Sequence, residues 1–214
     1  MVRFLSRRTF SAAAALALIA GFVDGVGFVI LGGAFVSFMS GNTTRASVDL
    51  TRADWIGAVI AIVVIVSFVV GVMAGTLMPT GRMRIETRIL TLVVVMIVIA
   101  AAALTLGWTL VSGAALAFAM GAMNTVFARG GEVGFGITYM TGALVKLGQG
   151  IVAAARGGGH SQWMRNLVLW ASMALGAALG AIAFVIAGAG ALWVLAVVMA
   201  VLIVLPPTRA WLRV

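Results

Sequence analysis

From Phe10 to about Gly33 the chain is apolar, and the one charge in that run is Asp24. A helix needs about 20 such residues to cross a hydrocarbon core about 30 Å thick. Comparable runs follow at about 55–78, 88–107, 111–128, 165–187 and 190–205. They are continuous, unlike the alternating segments of about ten residues that build a barrel. Backbone in lipid must satisfy its own hydrogen bonds, which continuous runs do by coiling into helices. The expected class is therefore all-α: a polytopic membrane protein with six transmembrane helices. Composition agrees, at 64% hydrophobic and 9% charged, where a soluble domain carries about a quarter charged residues.

The same composition removes several chemistries. There is no cysteine, so disulfides, thiolate metal sites and cysteine nucleophiles are excluded. The single histidine, His160, excludes a histidine-cluster metal site. Neither a cofactor nor a metal is expected. The net charge of +9 comes from arginines at the ends of spans, where they set orientation and touch anionic headgroups. The bilayer, and not nucleic acid, is the expected partner of that charge. Gly157-Gly158-Gly159 lacks the flanking strand and the Lys-Ser/Thr of a nucleotide loop. The 12 methionines read as lipid-facing and core filler; only Met39 and Met140 recur in related positions.

Charge placement gives a topology. Arg3, Arg7 and Arg8 precede the first span, and Arg82, Arg84 and Arg88 follow the second against Glu86. Arg129, Lys146, Arg156 and Arg165 follow the fourth against Glu132, and Arg209 and Arg213 close the chain. Six crossings put all four groups on one side. The other side receives 33–54, where Arg45 and Arg52 balance Asp49 and Asp54, and uncharged turns near Ser112 and Gly188–Gly190. The positive-inside rule then places both termini in the cytoplasm of a bacterium, with the spans in its inner membrane. This requires that neither 35–50 nor 134–152 crosses completely. Ser6-Arg7-Arg8-Thr9-Phe10 resembles a twin-arginine export signal. The apolar run after it does not stop at a cleavage site, so it reads as the positive flank of the first span. Trp55, Trp108, Trp163 and Trp211 near span ends suit the interface, and Pro79 and Pro206-Pro207 fall where helices stop.

The chain repeats itself. Shifted by about 100 positions, Leu16-Ala17, Gly21, Asp24 and Val26 align with Leu116-Ala117, Gly121, Asn124 and Val126. Phe38-Met39-Ser40-Gly41 aligns with Tyr139-Met140-Thr141-Gly142, and Arg45 with Lys146. Gly71-x-x-x-Gly75 resembles Gly176-x-x-x-Gly180, a spacing that lets helices pack closely. The expected units are 1–109 and 110–214, three spans each, forming one membrane domain. Three is odd, so the second copy enters from the opposite side, as in the inverted repeats of many secondary transporters.

Two polar islands mark equivalent places in the copies: Ser40-Gly41-Asn42 with Arg45, and Thr141-Gly142 with Lys146. Gly32-Gly33 loosens the chain ahead of the first. Ser40 and Thr141 are expected as N-caps of short helices over 41–50 and 142–153. Aimed inward as re-entrant or broken helices, their N-termini make a site for an anionic or strongly polar group. The other reading is a pair of amphipathic helices lying in the headgroups. Asp24 is the one acid deep in a span, on a helix face with Gly21, Gly25 and Phe28. An intramembrane carboxylate is a functional candidate, to bind a substrate cation, accept a coupling proton or pair with Arg45 or Lys146. The competing reading is a structural hydrogen bond or ion pair. Asn124, its counterpart, keeps the hydrogen bonding and drops the charge. Glu132, in Arg129-Gly130-Gly131-Glu132, is a loop acid or a partner for Arg129 or Lys146.

Gly21-Phe22-Val23-Asp24, Phe35-Val36 with Met39-Ser40-Gly41-Asn42-Thr43-Thr44, and the run from Asn124-Thr125-Val126-Phe127 through Thr138-Tyr139-Met140-Thr141-Gly142 to Leu144-Val145-Lys146-Leu147-Gly148-Gln149 resemble the YoaK family. These are six-span bacterial membrane proteins catalogued as a domain of unknown function. Ser40 stands where Thr is usual, and Ala143 where Thr is common. The resemblance implies the span count and brings no established activity.

The leading functional expectation is a small-solute transporter or permease. Its substrate-binding set would be Asp24, Ser40, Gly41, Asn42, Arg45, Asn124, Thr141, Gly142 and Lys146 at the midplane. The solute expected there is small and polar or anionic, with proton coupling through Asp24. A passive channel and a non-transporting scaffold or accessory protein are the alternatives. An enzyme is not expected, because no second acid stands near Asp24 to share acid–base work. Homo-oligomerisation is left open.

Overall fold

The computed structural model describes residues 7–78, 85–129, 132–133, 138–159 and 161–204. Arg3, Arg82, Arg84, Arg209, Arg213, His160, Trp211, Pro79 and Pro206-Pro207 lie outside them. So do the side chains of Arg7, Arg8, Arg129 and Glu132, and with them the expected Glu132 ion pair.

The described chain is helical: α1 (Arg7–Ile30), α2 (Met39–Thr51), α3 (Trp55–Thr76), α4 (Ile85–Thr105), α5 (Thr109–Met123), α6 (Met140–Ala155), α7 (Ser161–Ala187) and α8 (Gly190–Val204). A two-residue ladder pairs Ala128 with Val133 and Arg129 with Glu132. Helices α1, α3, α4 and α7 are long and apolar enough to cross a membrane. Helix α5, 15 residues long, is shorter than the expected span over 111–128. Its last turn explains why. Past Asn124 the backbone amides of Thr125 and Val126 bond three residues back, to Ala122 and Met123, and the Thr125 hydroxyl shares the Ala122 carbonyl, so the α-helical ladder stops there.

Glycines decide which helices touch. A Cβ on Gly21 or Gly25 of α1 would overlap the backbone of α7 at Met173 or Ala177. One on Gly176 or Gly180 of α7 would overlap the carbonyls of Leu18 or Phe22 of α1. Backbones that close gain van der Waals contact where lipid offers no hydrophobic drive. The α3–α5 contact is built the same way. Gly121 faces the Phe68 carbonyl and the Val72 amide, Gly71 the Phe118 carbonyl, and Gly75 Ala122 and Thr125. The two interfaces correspond residue for residue: Gly21 to Gly121, Met173 to Phe68, Gly176 to Gly71, Leu18 to Phe118. In both, residue numbers rise together along the two helices, so each pair runs parallel.

Other contacts fix directions across the halves. Leu31, just past α1, packs on Gly113 near the start of α5. The Trp193 indole at the start of α8 donates to the Thr105 hydroxyl at the end of α4 (3.3 Å). So α1 runs opposite to α5, and α4 opposite to α8. Helix α5 sits at the centre, its residues from Leu116 to Met123 almost all buried against α3 and α4. Trp55 and Trp108, at the starts of α3 and α5, are exposed, as suits indoles at an interface.

Helices α2 and α6 lie on the flanks, α2 on α3 and α6 on α7. After Ile30 the chain reverses at Gly32 and Gly33, with φ of 59° and 98°, a left-handed geometry that glycine adopts without a Cβ clash. It then runs back along α1 to the level of Asp24 before α2 begins. Asp24 is six residues from the end of α1, or about 9 Å at 1.5 Å per residue. Helix α2 returns outward and a three-residue turn leads into α3, where Asp54 accepts from the Gly57 amide (3.0 Å) as an N-cap.

Candidate functional site

The returning segment 34–38 has neither helix nor sheet to pair its backbone, and Ala34, Val36 and Ser37 in it are buried. Buried donors without partners are costly, and here three successive residues are served by side chains. Asp24 Oδ1 accepts from the Val36 and Ser37 amides at 2.8 and 2.9 Å. The Asn42 side chain accepts from the Phe35 amide (2.9 Å) and donates back to the Phe35 carbonyl. Asp24 in α1 and Asn42 in α2 thus hold the re-turning strand between them. Asn42 is fully buried. Replacing it with Ala strips both Phe35 backbone groups of partners. At about 1–3 kcal/mol for each group left without a partner, Asn42→Ala is expected to lower stability by about 2–6 kcal/mol, read as a lower melting temperature in detergent. An unchanged melting temperature would refute this role.

The hydroxyl-rich island satisfies itself. Thr43 donates to the Met39 carbonyl (2.9 Å), Thr44 to that of Ser40 (3.2 Å) and Ser47 to that of Thr43 (3.0 Å). These return bonds satisfy the hydroxyls within α2 itself. Ser40 and Thr141 are not N-caps, which corrects the expectation from sequence. Both helices start two residues earlier than expected, at Met39 and Met140, behind Phe38 and Tyr139, and neither cap makes a side-chain bond. Gly41 has a steric reason: its missing Cβ leaves room for the Phe38 ring, with Phe35 at 3.4 Å.

Arg45 is not paired with Asp24. Its Nε lies 3.3 Å from Asp49 Oδ2, and its guanidinium rests by Gly33 at the end of α1. About 100 residues further on, Asn124 bonds Thr138, accepting from its amide (3.3 Å) and donating to its hydroxyl (3.2 Å). Thr138 occupies the place of Ser37, so Asn124 makes the tie that Asp24 makes. Thr141, Gly142 and Lys146 are exposed, and nothing lies within 4 Å of where a Gly142 Cβ would be. Ala143 is buried where the first copy has Asn42.

The nine candidate residues therefore do not converge on one centre. Asp24 and Asn42 belong to one buried tie, and Asn124 to a second one with Thr138. Arg45 joins Asp49, and Ser40, Thr141 and Lys146 face outward. Sequence reading missed Phe35, Ser37 and Thr138; the signal was available in the Ser37–Thr138 match, which shares the register of Ser40 with Thr141.

Asp24 also opens sideways. With Phe28, Val29 and Phe35, and with Ala177 and Ala181 of α7, it lines a groove of about 280 Å³. Apart from Asp24 these residues are apolar. The Phe28 and Phe35 rings lie 4.9 Å apart, and Phe38 meets Phe35 edge-on at 5.4 Å.

Residues 12–205 match the family model described as "Protein of unknown function (DUF1275)". A relative from Rhizobium meliloti (strain 1021), "UPF0700 transmembrane protein RA0705", is 38% identical over 181 residues, covering 85% of this chain and 78% of its own length. No solved structure matches.

Proposed function

We propose that this chain, which belongs to the DUF1275 family and is a multi-pass membrane protein, carries a small solute across the bacterial inner membrane. The observation that carries the reading is Asp24: one carboxylate within a membrane helix, lining a groove between two helices that belong to different halves. An intramembrane acid costs about 3 kcal/mol on insertion scales, so a role beyond structure is the default. Its role is binding and passage and not catalysis, with proton coupling through the same carboxylate. The frame proposed is six spans in two inverted copies, each with a re-entrant segment, α2 or α6. The corresponding glycine contacts and the opposed directions of α1 and α5 support it. Both termini are placed in the cytoplasm.

Purified protein in liposomes should speed uptake of some labelled solute from a panel of amines, carboxylates, sugars and inorganic ions. Rates equal to protein-free liposomes across the panel would reject the carrier reading in favour of a scaffold. For the frame, single cysteines at Arg45 and Lys146 should label with impermeant maleimide from opposite faces of the membrane. Labelling from one face would reject the inversion.

A further inference from the structure

Two copies of one tie exist in this protein, and they differ in charge. Asn124 holds the Thr138 backbone with a neutral amide, so the tie itself does not call for a carboxylate. Asp24 holds Val36 and Ser37 with a group that is costly to keep in a membrane. The excess charge asks for another use, and the surroundings of Asp24 differ from those of Asn124 in the same sense. Phe28 and Phe35 line the groove with Asp24, and Phe38 backs Phe35, where the shift of about 100 positions puts Ala128, Gly136 and Tyr139 in the sequence. The groove at Asp24 is about 280 Å³, and no basic residue lines it. Arg45, whose guanidinium comes near the tip of Phe28 at Gly33, is engaged by Asp49. Both backbone donors to Asp24 share Oδ1, and Oδ2 receives neither.

From this we infer that the Asp24 groove is a binding site for a lipophilic organic cation, an ammonium carrying apolar substituents. The carboxylate supplies the counter-charge, which is strong in a low-dielectric setting. Phenyl faces attract a cation within about 6 Å of the ring centre, and the alanines of α7 leave space for substituents. A proton alone would need neither the volume nor the rings. Phe28 is 42% exposed, so the groove is reached from the side, from within the apolar layer where such cations partition. The inference rests on the carrier reading and replaces the small polar or anionic solute expected from sequence with a lipophilic amine cation.

The test is calorimetric titration of the whole protein in dodecyl maltoside with benzyltrimethylammonium, and separately with neopentylbenzene, its uncharged carbon isostere. Saturable binding of the ammonium is expected, with the isostere at least tenfold weaker. Asp24→Asn, which can still make the tie, should abolish the ammonium binding, and Phe35→Ala should weaken it about three- to thirty-fold. Equal binding of the isostere overturns the inference, as does unaltered ammonium binding in either variant. Should Asp24→Asn fail to fold, Phe35→Ala and the isostere still decide the matter. Cation binding without uptake in liposomes would keep the site and reject the carrier; uptake of another solute without cation binding would reject the site alone.

Discussion

Gly176→Leu is expected to leave little folded protein in the membrane fraction. The Cβ it adds would fall on the Leu18 carbonyl oxygen of α1, with the Phe22 amide nitrogen only 3.0 Å off. Backbone cannot rotate aside as a side chain does, so α1 and α7 must separate along their length. Overpacking costs about 1–3 kcal/mol where side chains can adjust; where two backbones must part, about 3 kcal/mol or more is expected. Gly121→Leu presses on the Phe68 carbonyl in the corresponding interface and should fail to the same degree. Gly148 has open space where its Cβ would stand, and Gly148→Ala should hold or gain about 0.5–1 kcal/mol by helix propensity. Detergent-extracted yield and monodispersity on size exclusion separate the three. Normal yield from Gly176→Leu would mean that the α1–α7 contact does not hold the halves together.

Asp24→Leu is the second large effect. It removes the one acceptor shared by two buried amides, on Val36 and Ser37. At about 1–3 kcal/mol per buried donor left unpaired, a loss of about 2–6 kcal/mol is expected. The segment ahead of α2 should then come loose, giving faster proteolysis between 31 and 38. Asp24→Asn should not show this. Its carbonyl oxygen can accept both amides, and its amide can donate to the carbonyl four residues back, as Asn124 does to Met120 (2.9 Å). The contrast between Leu and Asn isolates the tie from the charge. If both variants melt alike, the tie contributes nothing measurable.

The spacing of Gly71 and Gly75, and of Gly176 and Gly180, made close helix contacts legible in the sequence, and the structure puts backbone against each of them. The match of Asp24 with Asn124 was legible too, because side-chain identity repeats at a fixed shift. What they bind was not. Their partners are backbone amides, which every residue carries, so no letter in the sequence marks Val36 or Ser37 as the ones left without a ladder. Hydroxyls beside a helix start suggested caps at Ser40 and Thr141. Instead Thr43 and Thr44 bond back into their own helix, and the helices begin behind aromatic residues. The early end of α5 turned on the amides of Thr125 and Val126 bonding three residues back instead of four. The separation of the two islands depends on which helices exchange partners between halves. Helix α1 packs on α7 and α3 on α5, an arrangement that periodicity within one helix does not encode.

In the proposed carrier the charge of Asp24 acts beyond the tie that Asp24 makes. Solute uptake by Asp24→Asn in liposomes, on protein whose melting temperature matches the parent chain, tests it most directly. The expected result is a folded protein whose uptake has fallen to that of protein-free liposomes. Uptake at the parent rate by the folded Asn variant would contradict the claim and leave Asp24 as a structural residue.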